Sequence, residues 1–383
     1  MQVKRKSPTP HVVVIGAGAF GGWTALFLLR GGAKVTLLDA WGPGNSRASS
    51  GGETRIIRGT YGPNQPYTKM TARSLQLWRE HEQSWGRKLY HRTGVLWMAH
   101  QDDAFEKASL SELKAASLPF EEIVLSELAR RYPQMNLEGV KWAIYEPEGG
   151  MILARQACAA VLEAFVAQGG EYRVAAVQPP AMEGGNVTSV ELNCGSQIAA
   201  DVFVFACGPW LGKIFPDVIG HRISPSRQEV LFFGTPAVDL RFTEQGLPIW
   251  IDYGDGLSWY GIPGNERRGF KIAKDERGPR FDPTDGDRSV GPESISAARK
   301  YLSFRFPGME NAPLVETRVC QYENSPDHDF IVDRHPRAEN VWIVGGGSGH
   351  GFKHGPAVGE MVADLVLRDR KSEAAFSLSR FGG

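Results

Sequence analysis

Gly16, Gly18 and Gly21 stand in "VVVIGAGAFGG" with the spacing Gly-x-Gly-x-x-Gly, directly after the apolar run 12–15. Glycines so spaced turn a backbone tightly, bring it close to a pyrophosphate and let a helix pack against a strand. The helix that follows adds the positive end of its dipole. Asp39, 21 residues beyond Gly18, is placed to accept hydrogen bonds from an adenosine ribose. Other residues carry charge or a nucleophile. Arg55 and Arg58 sit three apart around Ile56-Ile57; on a helical turn they share a face, which reads as a solvated cationic surface. Lys271, in "GFKIAK", alternates with Phe270 and Ile272 and reads as an outward strand lysine. Cys320 opens "CQYENSPDHDFIVD" and is either a buried inert thiol or one that is bonded to something.

The elements that must position these residues follow from hydrophobic pattern. Residues 12–15 are apolar on both faces, as in a buried parallel strand. Ala25, Leu26, Leu28 and Leu29 then recur at helical spacing until Gly31-Gly32, and 34–38 forms a second strand ending on Asp39. With a strand before, a helix after and the acid at the right distance, an ADP-containing dinucleotide is expected here. Residues 151–168 read as an amphipathic helix, with short strands near 171–178 and 187–193. Residues 202–205 and 341–344 are further buried strands, each running into glycine, and 356–367 is a helix. Three strand-to-glycine turns converging on one sheet edge are more than a nicotinamide domain needs. Residues 89–148 and 219–319 are richer in aromatics, among them Trp250, Tyr253, Trp259 and Tyr260, and read as an inserted antiparallel sheet with covering helices. Residues 276–293 are a polar loop rich in Pro and Gly.

The bulk numbers exclude several classes. In 383 residues, 43 basic and 43 acidic side chains cancel, so no net field favours nucleic acid or an anionic membrane. Cys158, Cys194, Cys207 and Cys320 lie far apart without a Cys-x-x-Cys pair, which argues against a metal site and a disulfide scaffold. The basic start with Lys4, Arg5 and Lys6 is followed by too short an apolar run for a signal peptide, and no stretch reaches membrane-span length. A cytoplasmic protein acting on a small molecule is expected, as a monomer or small homo-oligomer.

Four stretches together, "VIGAGAFGGWTALFLLRGGAKVTLLDA", "GETRIIRGTYG" (52–62), "CQYENSPDHDFIVD" (320–333) and "GSGHGFKHGPAVGE" (347–360), resemble the FAD-dependent amine oxidases related to monomeric sarcosine oxidase and N-methyltryptophan oxidase, within the D-amino acid oxidase group. The resemblance covers nearly the whole chain. It implies an α/β fold: a discontinuous FAD-binding, Rossmann-like domain (1–88, 149–218 and 320–383) with an inserted antiparallel-sheet substrate domain (89–148 and 219–319). It implies a thioether from Cys320 to the flavin, which would raise the flavin's potential. Arg58 and Lys353 would grip a substrate carboxylate, Arg55 would lie against the flavin ring, and Lys271 would activate O2 electrostatically. Tyr260 and Tyr322 would line the substrate cavity. Phe20, Arg47, Ser50, Gly208, Gly347, Gly349 and Gly351 would join Gly16, Gly18, Gly21 and Asp39 around the cofactor, while His350 is a polar turn residue or a flavin contact. Two positions depart from the family: Gly51 and Asp275 each replace a histidine. The reaction implied is oxidation of the C–N bond of an N-substituted or cyclic amino acid, giving an imine and hydrogen peroxide. A dehydrogenase feeding a carrier and a flavin-bearing subunit of a larger complex are the alternatives.

Overall fold

The computed structural model describes residues 9–182 and 184–382; Lys4, Arg5, Lys6 and Gly383 lie outside them. The chain divides into two compact units, one of residues 1–53, 154–225 and 321–383, the other of 54–153 and 226–320.

The first unit is built on a six-stranded sheet. Its order is Ile331–His335, Ala338–Gly345, Val202–Phe205, His11–Ile15, Lys34–Asp39 and Glu171–Val174. All neighbours run parallel except the first pair. Val12, Val13, Val14, Phe203, Val204 and Val341 are fully buried, which is why these strands read as continuous apolar runs rather than alternating ones. Helices Ala19–Arg30, Ala154–Ala167 and Gly355–Leu367 belong to this unit. The first and last pack at a distance that only glycine permits: a Cβ on Gly359 would fall 2.6 Å from the Trp23 backbone. The three strands expected to end in glycine turns are adjacent, so their carboxyl ends form one edge.

The second unit carries most of an eight-stranded sheet. Its order is Leu314–Asn324, Ser224–Phe233, Phe270–Lys274, Leu257–Ile262, Ile249–Gly254, Val95–Ala99, Trp142–Glu146 and Glu121–Val124. From Ser224–Phe233 to Ile249–Gly254, and again from Val95–Ala99 to Glu121–Val124, neighbours are antiparallel as expected, while Ile249–Gly254 pairs with Val95–Ala99 in parallel. Trp250 stacks on Tyr301, which stacks on Trp259, beneath helix Pro292–Arg305. Within this core Asp252 is fully buried and satisfied three ways, by His100 at 2.7 Å, the Tyr301 hydroxyl at 2.5 Å and Arg305 Nε at 2.9 Å. Those donors hold its carboxyl below its ordinary range although burial pulls the other way.

Three local expectations change. Residues 151–153 belong to the strand Gly150–Leu153, and the helix starts at Ala154. That strand is central, pairing with Thr54–Ile57 on one side and Tyr90–His91 on the other, and these long-range partners override the helical periodicity. Arg55 lies in the strand Thr54–Ile57 and Arg58 just past it, so the two share no helical face; the β-branched pair Ile56-Ile57 favours the strand. The break between units falls after Glu53, because this strand bonds to Gly150–Leu153 of the second unit.

Candidate active site

In the first unit the glycine turn is forced by close approach. Gly16 has φ +106, and a Cβ there would lie 2.3 Å from the Ala206 carbonyl oxygen; one on Gly21 would lie 1.9 Å from the Gly16 oxygen. Helix Ala19–Arg30 begins at Gly18 with no side-chain cap and no acidic residue in its first turn. Its N-terminal N–H groups and dipole are thus left for an anion. Ser50 is buried, its Oγ 3.3 Å from the Cβ position of Gly18. Asp39 has a second task beyond the expected one. Its carboxylate accepts from the backbone N–H groups of Ala17 at 2.8 Å, Trp41 at 2.9 Å and Gly42 at 2.7 Å. Asp39 therefore ties the glycine turn to the end of its own strand. Burial raises its pKa, and the three N–H groups oppose that.

The far turn of this unit gathers the remaining residues. A Cβ on Gly349 would run into the Tyr322 ring at 2.6 Å, and one on Gly351 would meet Phe20 at 2.9 Å. His350 stacks on Phe330, with ring centres 5.0 Å apart, and its Nε2 lies 3.1 Å from the His328 carbonyl oxygen. Lys353 is buried in the short turn Phe352–His354, where its ammonium donates to the His350 carbonyl at 2.8 Å. Gly208, with φ +53, turns the chain after Val202–Phe205. The guanidinium of Arg47 sits over Trp41, while its carbonyl accepts from Gln321. At Gly51 a Cβ would fall 1.8 Å from the Asn45 carbonyl oxygen, so this backbone has no room for a side chain.

One residue of this unit was not anticipated. Glu323 is 7% exposed; its Oε1 accepts from the Gly347 N–H at 3.1 Å and its Oε2 has no partner among the described residues. Burial pushes its carboxyl up to about 7. The signal in the sequence was a carboxylate standing between Cys320 and Pro326 in an otherwise uncharged run.

The second unit brings together a different set. Arg55 Nη2 donates to Cys320 Sγ at 3.4 Å, and Arg55 is half-buried. Lys271 is 3% exposed, not solvated as its alternation implied, because residues 270–273 are all buried, so this strand is covered on both of its faces. Its ammonium donates to the Thr54 carbonyl at 3.0 Å and lies 5.9 Å from the centre of the Tyr260 ring. Tyr260 and Cys320 pack against the same cluster of Val230, Phe232 and Ala273. Two of the expected cations and the thiol thus meet in one place.

Arg58 stands nearby in sequence but in its own surroundings. Its guanidinium carbon is 4.4 Å from the Tyr61 ring centre and 4.7 Å from that of Trp97, and it donates to the Thr60 carbonyl. No carboxylate among the described residues pairs with it. The loop that carries it is clamped by Glu146, which accepts from the N–H groups of Gly59 at 2.5 Å and Thr60 at 3.1 Å and from the Thr60 hydroxyl at 2.7 Å. Burial pushes the Tyr61 hydroxyl well above its ordinary range, the Arg58 charge opposing this. Asp275 accepts from the Tyr253 hydroxyl at 2.6 Å. Tyr61, Trp97 and Glu146 were not anticipated: Tyr61 stands three residues after Arg58 in the same stretch, while Trp97 and Glu146 reach this loop only through the fold.

The cradle of the first unit fits a dinucleotide: Gly16 and Gly21 where no side chain has room, an uncapped helix and an acid at the end of the second strand. Comparison with known proteins agrees. A family model described as FAD dependent oxidoreductase (DAO) matches residues 11–365. Monomeric sarcosine oxidase of Streptomyces avermitilis is 31% identical over 368 residues, which cover 94% of each chain. N-methyl-L-tryptophan oxidase of Yersinia pestis is 27% identical, over 97% of this chain and 99% of the relative. Among solved structures, L-proline dehydrogenase from P. horikoshii shares the fold with a TM-score of 0.85, at 22% identity and over 97% of this chain and 98% of that one. Since the match runs from the first strand into the last long helix, the chain belongs to the FAD dependent oxidoreductase family and is an enzyme of that family.

Proposed function

We propose that this enzyme oxidises the C–N bond of an N-substituted or cyclic amino acid, releasing an imine that hydrolyses, with O2 reduced to hydrogen peroxide. The reading is supported by relatives named for sarcosine and N-methyl-L-tryptophan oxidation across nearly the whole chain. The observation that carries it is Arg58, a half-buried cation walled by Tyr61 and Trp97 and paired with no carboxylate among the described residues. A planar guanidinium in such surroundings is a receptor for a carboxylate, which it meets bidentately and away from water.

FAD, when bound, supplies the acceptor for the two electrons and the hydrogen removed from carbon. The chain's own residues do the rest. Glu146 fixes the Gly59–Thr60 backbone, so Arg58 is held before substrate arrives, and a pre-oriented grip on the carboxylate spends less binding energy on ordering. By resemblance Lys353 is the second carboxylate cation. Lys271, buried and held by its bond to the Thr54 carbonyl, is the proposed group for stabilising the negative charge that develops on oxygen as it is reduced. Cys320 is the proposed point of covalent attachment, with Arg55 at its sulfur. Asp275, which accepts from the Tyr253 hydroxyl, stands where the resemblance expects a histidine, and a carboxylate there changes the charge met by the substrate amine, which argues against sarcosine itself.

A peroxide-coupled screen of N-methyl, cyclic and plain amino acids with the purified chain tests the proposal. Turnover with peroxide for one of these is the expected result. Turnover seen only with an artificial electron carrier would overturn the oxidase reading, and turnover seen only with amines that lack a carboxylate would remove the role of Arg58.

A further inference from the structure

Glu323 is a buried ionisable group with no part in the proposed chemistry. It is 7% exposed, and Oε2 is left without a partner among the described residues. The carboxyl lies where two parallel strands end. Oε2 is 3.4 Å from the Cβ position of Gly208, in the turn after Val202–Phe205, and 3.4 Å from that of Gly345, at the end of Ala338–Gly345. Oε1 is held by the Gly347 N–H. An unpaired buried carboxyl oxygen costs free energy unless a ligand satisfies it.

Sheet order says which part of a dinucleotide would. The strand His11–Ile15 leads into the pyrophosphate turn. Lys34–Asp39, with the acid for the adenosine ribose, is its neighbour on one side; Val202–Phe205 and then Ala338–Gly345 follow on the other. A dinucleotide laid across the carboxyl ends with its adenosine towards Asp39 must extend its other half over the strands that end at Gly208 and Gly345. In FAD that half is the ribityl chain and flavin. We infer that Glu323 receives a ribityl hydroxyl of bound FAD through its unpartnered carboxyl oxygen, a contact that rests on the family's FAD dependence. A hydroxyl suits this site better than a phosphate, because it carries no charge to repel the carboxylate and can either donate or accept. Burial pushes the carboxyl up to about 7 against the opposing Gly347 N–H, so near neutrality both of its forms are present and either one finds a match.

The test uses the full chain carrying Cys320→Ser, so that no covalent bond hides the equilibrium, freed of flavin and titrated with FAD, with ADP, and with FAD analogues lacking the 2′, 3′ or 4′ ribityl hydroxyl. Flavin fluorescence and calorimetry are the readouts. Adding Glu323→Ala should weaken FAD roughly tenfold, the scale of one buried hydrogen bond, and leave ADP affinity unchanged. Glu323→Gln, which keeps an acceptor and a donor, should stay near the parent. One deoxy analogue should bind the parent roughly tenfold more weakly than FAD does, yet lose nothing further on Glu323→Ala. Equal loss of FAD and ADP would mean that Glu323 only shapes the turn, and additive losses for all three analogues would equally overturn the contact. If the Cys320→Ser parent itself ignored FAD while remaining folded, the cofactor reading would fall with it; if it bound FAD and Glu323→Ala bound as tightly, only this inference would fall.

Discussion

Arg55 donates a hydrogen bond to the sulfur of Cys320 at 3.4 Å, although the two are separated by most of the chain. A guanidinium bonded to a sulfur fixes where that sulfur lies, and a covalent bond to a cofactor requires its reacting atom to be held in place. Of the free cysteines, Cys158 is buried in a helix, Cys194 is exposed, and burial drives the Cys207 thiol well up from its ordinary range.

If Cys320 carries the flavin, acid precipitation of the wild-type protein leaves the yellow colour in the pellet, and Cys320→Ala releases it to the supernatant. Arg55→Leu should slow attachment while leaving non-covalent FAD binding measurable. Intact mass, read as a time course after adding FAD to flavin-free protein, checks both. Attachment at the wild-type rate in Arg55→Leu would remove its role.

Arg58→Ala should lower kcat/KM roughly 10- to 100-fold, the range expected when a charged hydrogen-bonding pair loses one member. Arg58→Lys should recover little, because an ammonium cannot meet a carboxylate with two parallel bonds. Steady-state kinetics on the best substrate of the screen decides this. Glu146→Gln should produce a milder loss, mostly in KM, since it acts through the loop that carries Arg58.

Lys271→Met should slow reoxidation of the reduced enzyme by O2 far more than its reduction by substrate. Stopped-flow absorbance separates the two half-reactions. Equal slowing of both would make Lys271 a structural residue tied to the Thr54 carbonyl.

The Glu323 carboxyl, ordinarily near 4.5, titrates at about 7 in the folded protein. Between these values the folded state keeps a proton that the unfolded chain has released, so stability falls as pH rises through that window and levels off above it. The free-energy equivalent of that displacement is a loss of about 3 kcal/mol. Urea denaturation of the flavin-free protein at pH 5 and pH 8 should show this slope, and Glu323→Gln should flatten it.

In the second unit, Arg305→Met leaves Asp252 buried with part of its pairing gone. A cost of about 3–5 kcal/mol is expected for a broken buried pair, read as a lower thermal midpoint with the same substrate preference.

Local pattern alone determined the dinucleotide cradle. A buried strand, three glycines, a helix and an acid are contiguous between His11 and Asp39, so nothing distant was required to recognise them. Resemblance to a known family, carried by four stretches of the chain, marked Cys320, Arg58, Lys271 and Lys353 as expected site residues. What the sequence could not decide depends on partners far along the chain. Whether 151–153 was strand or helix turned on two strands from elsewhere. Lys271 looked solvent-facing because alternation tells one face of a strand from the other, not whether the second face is also covered. Asp39 carries its three backbone bonds, and Arg58 its two aromatic walls, only once the chain has turned back on itself. Glu323 shows the difference most clearly: its identity is written in the sequence, but an unpartnered oxygen is a property of surroundings. Burial and hydrogen-bond satisfaction are sums over neighbours in space, and tertiary structure alone supplies those neighbours.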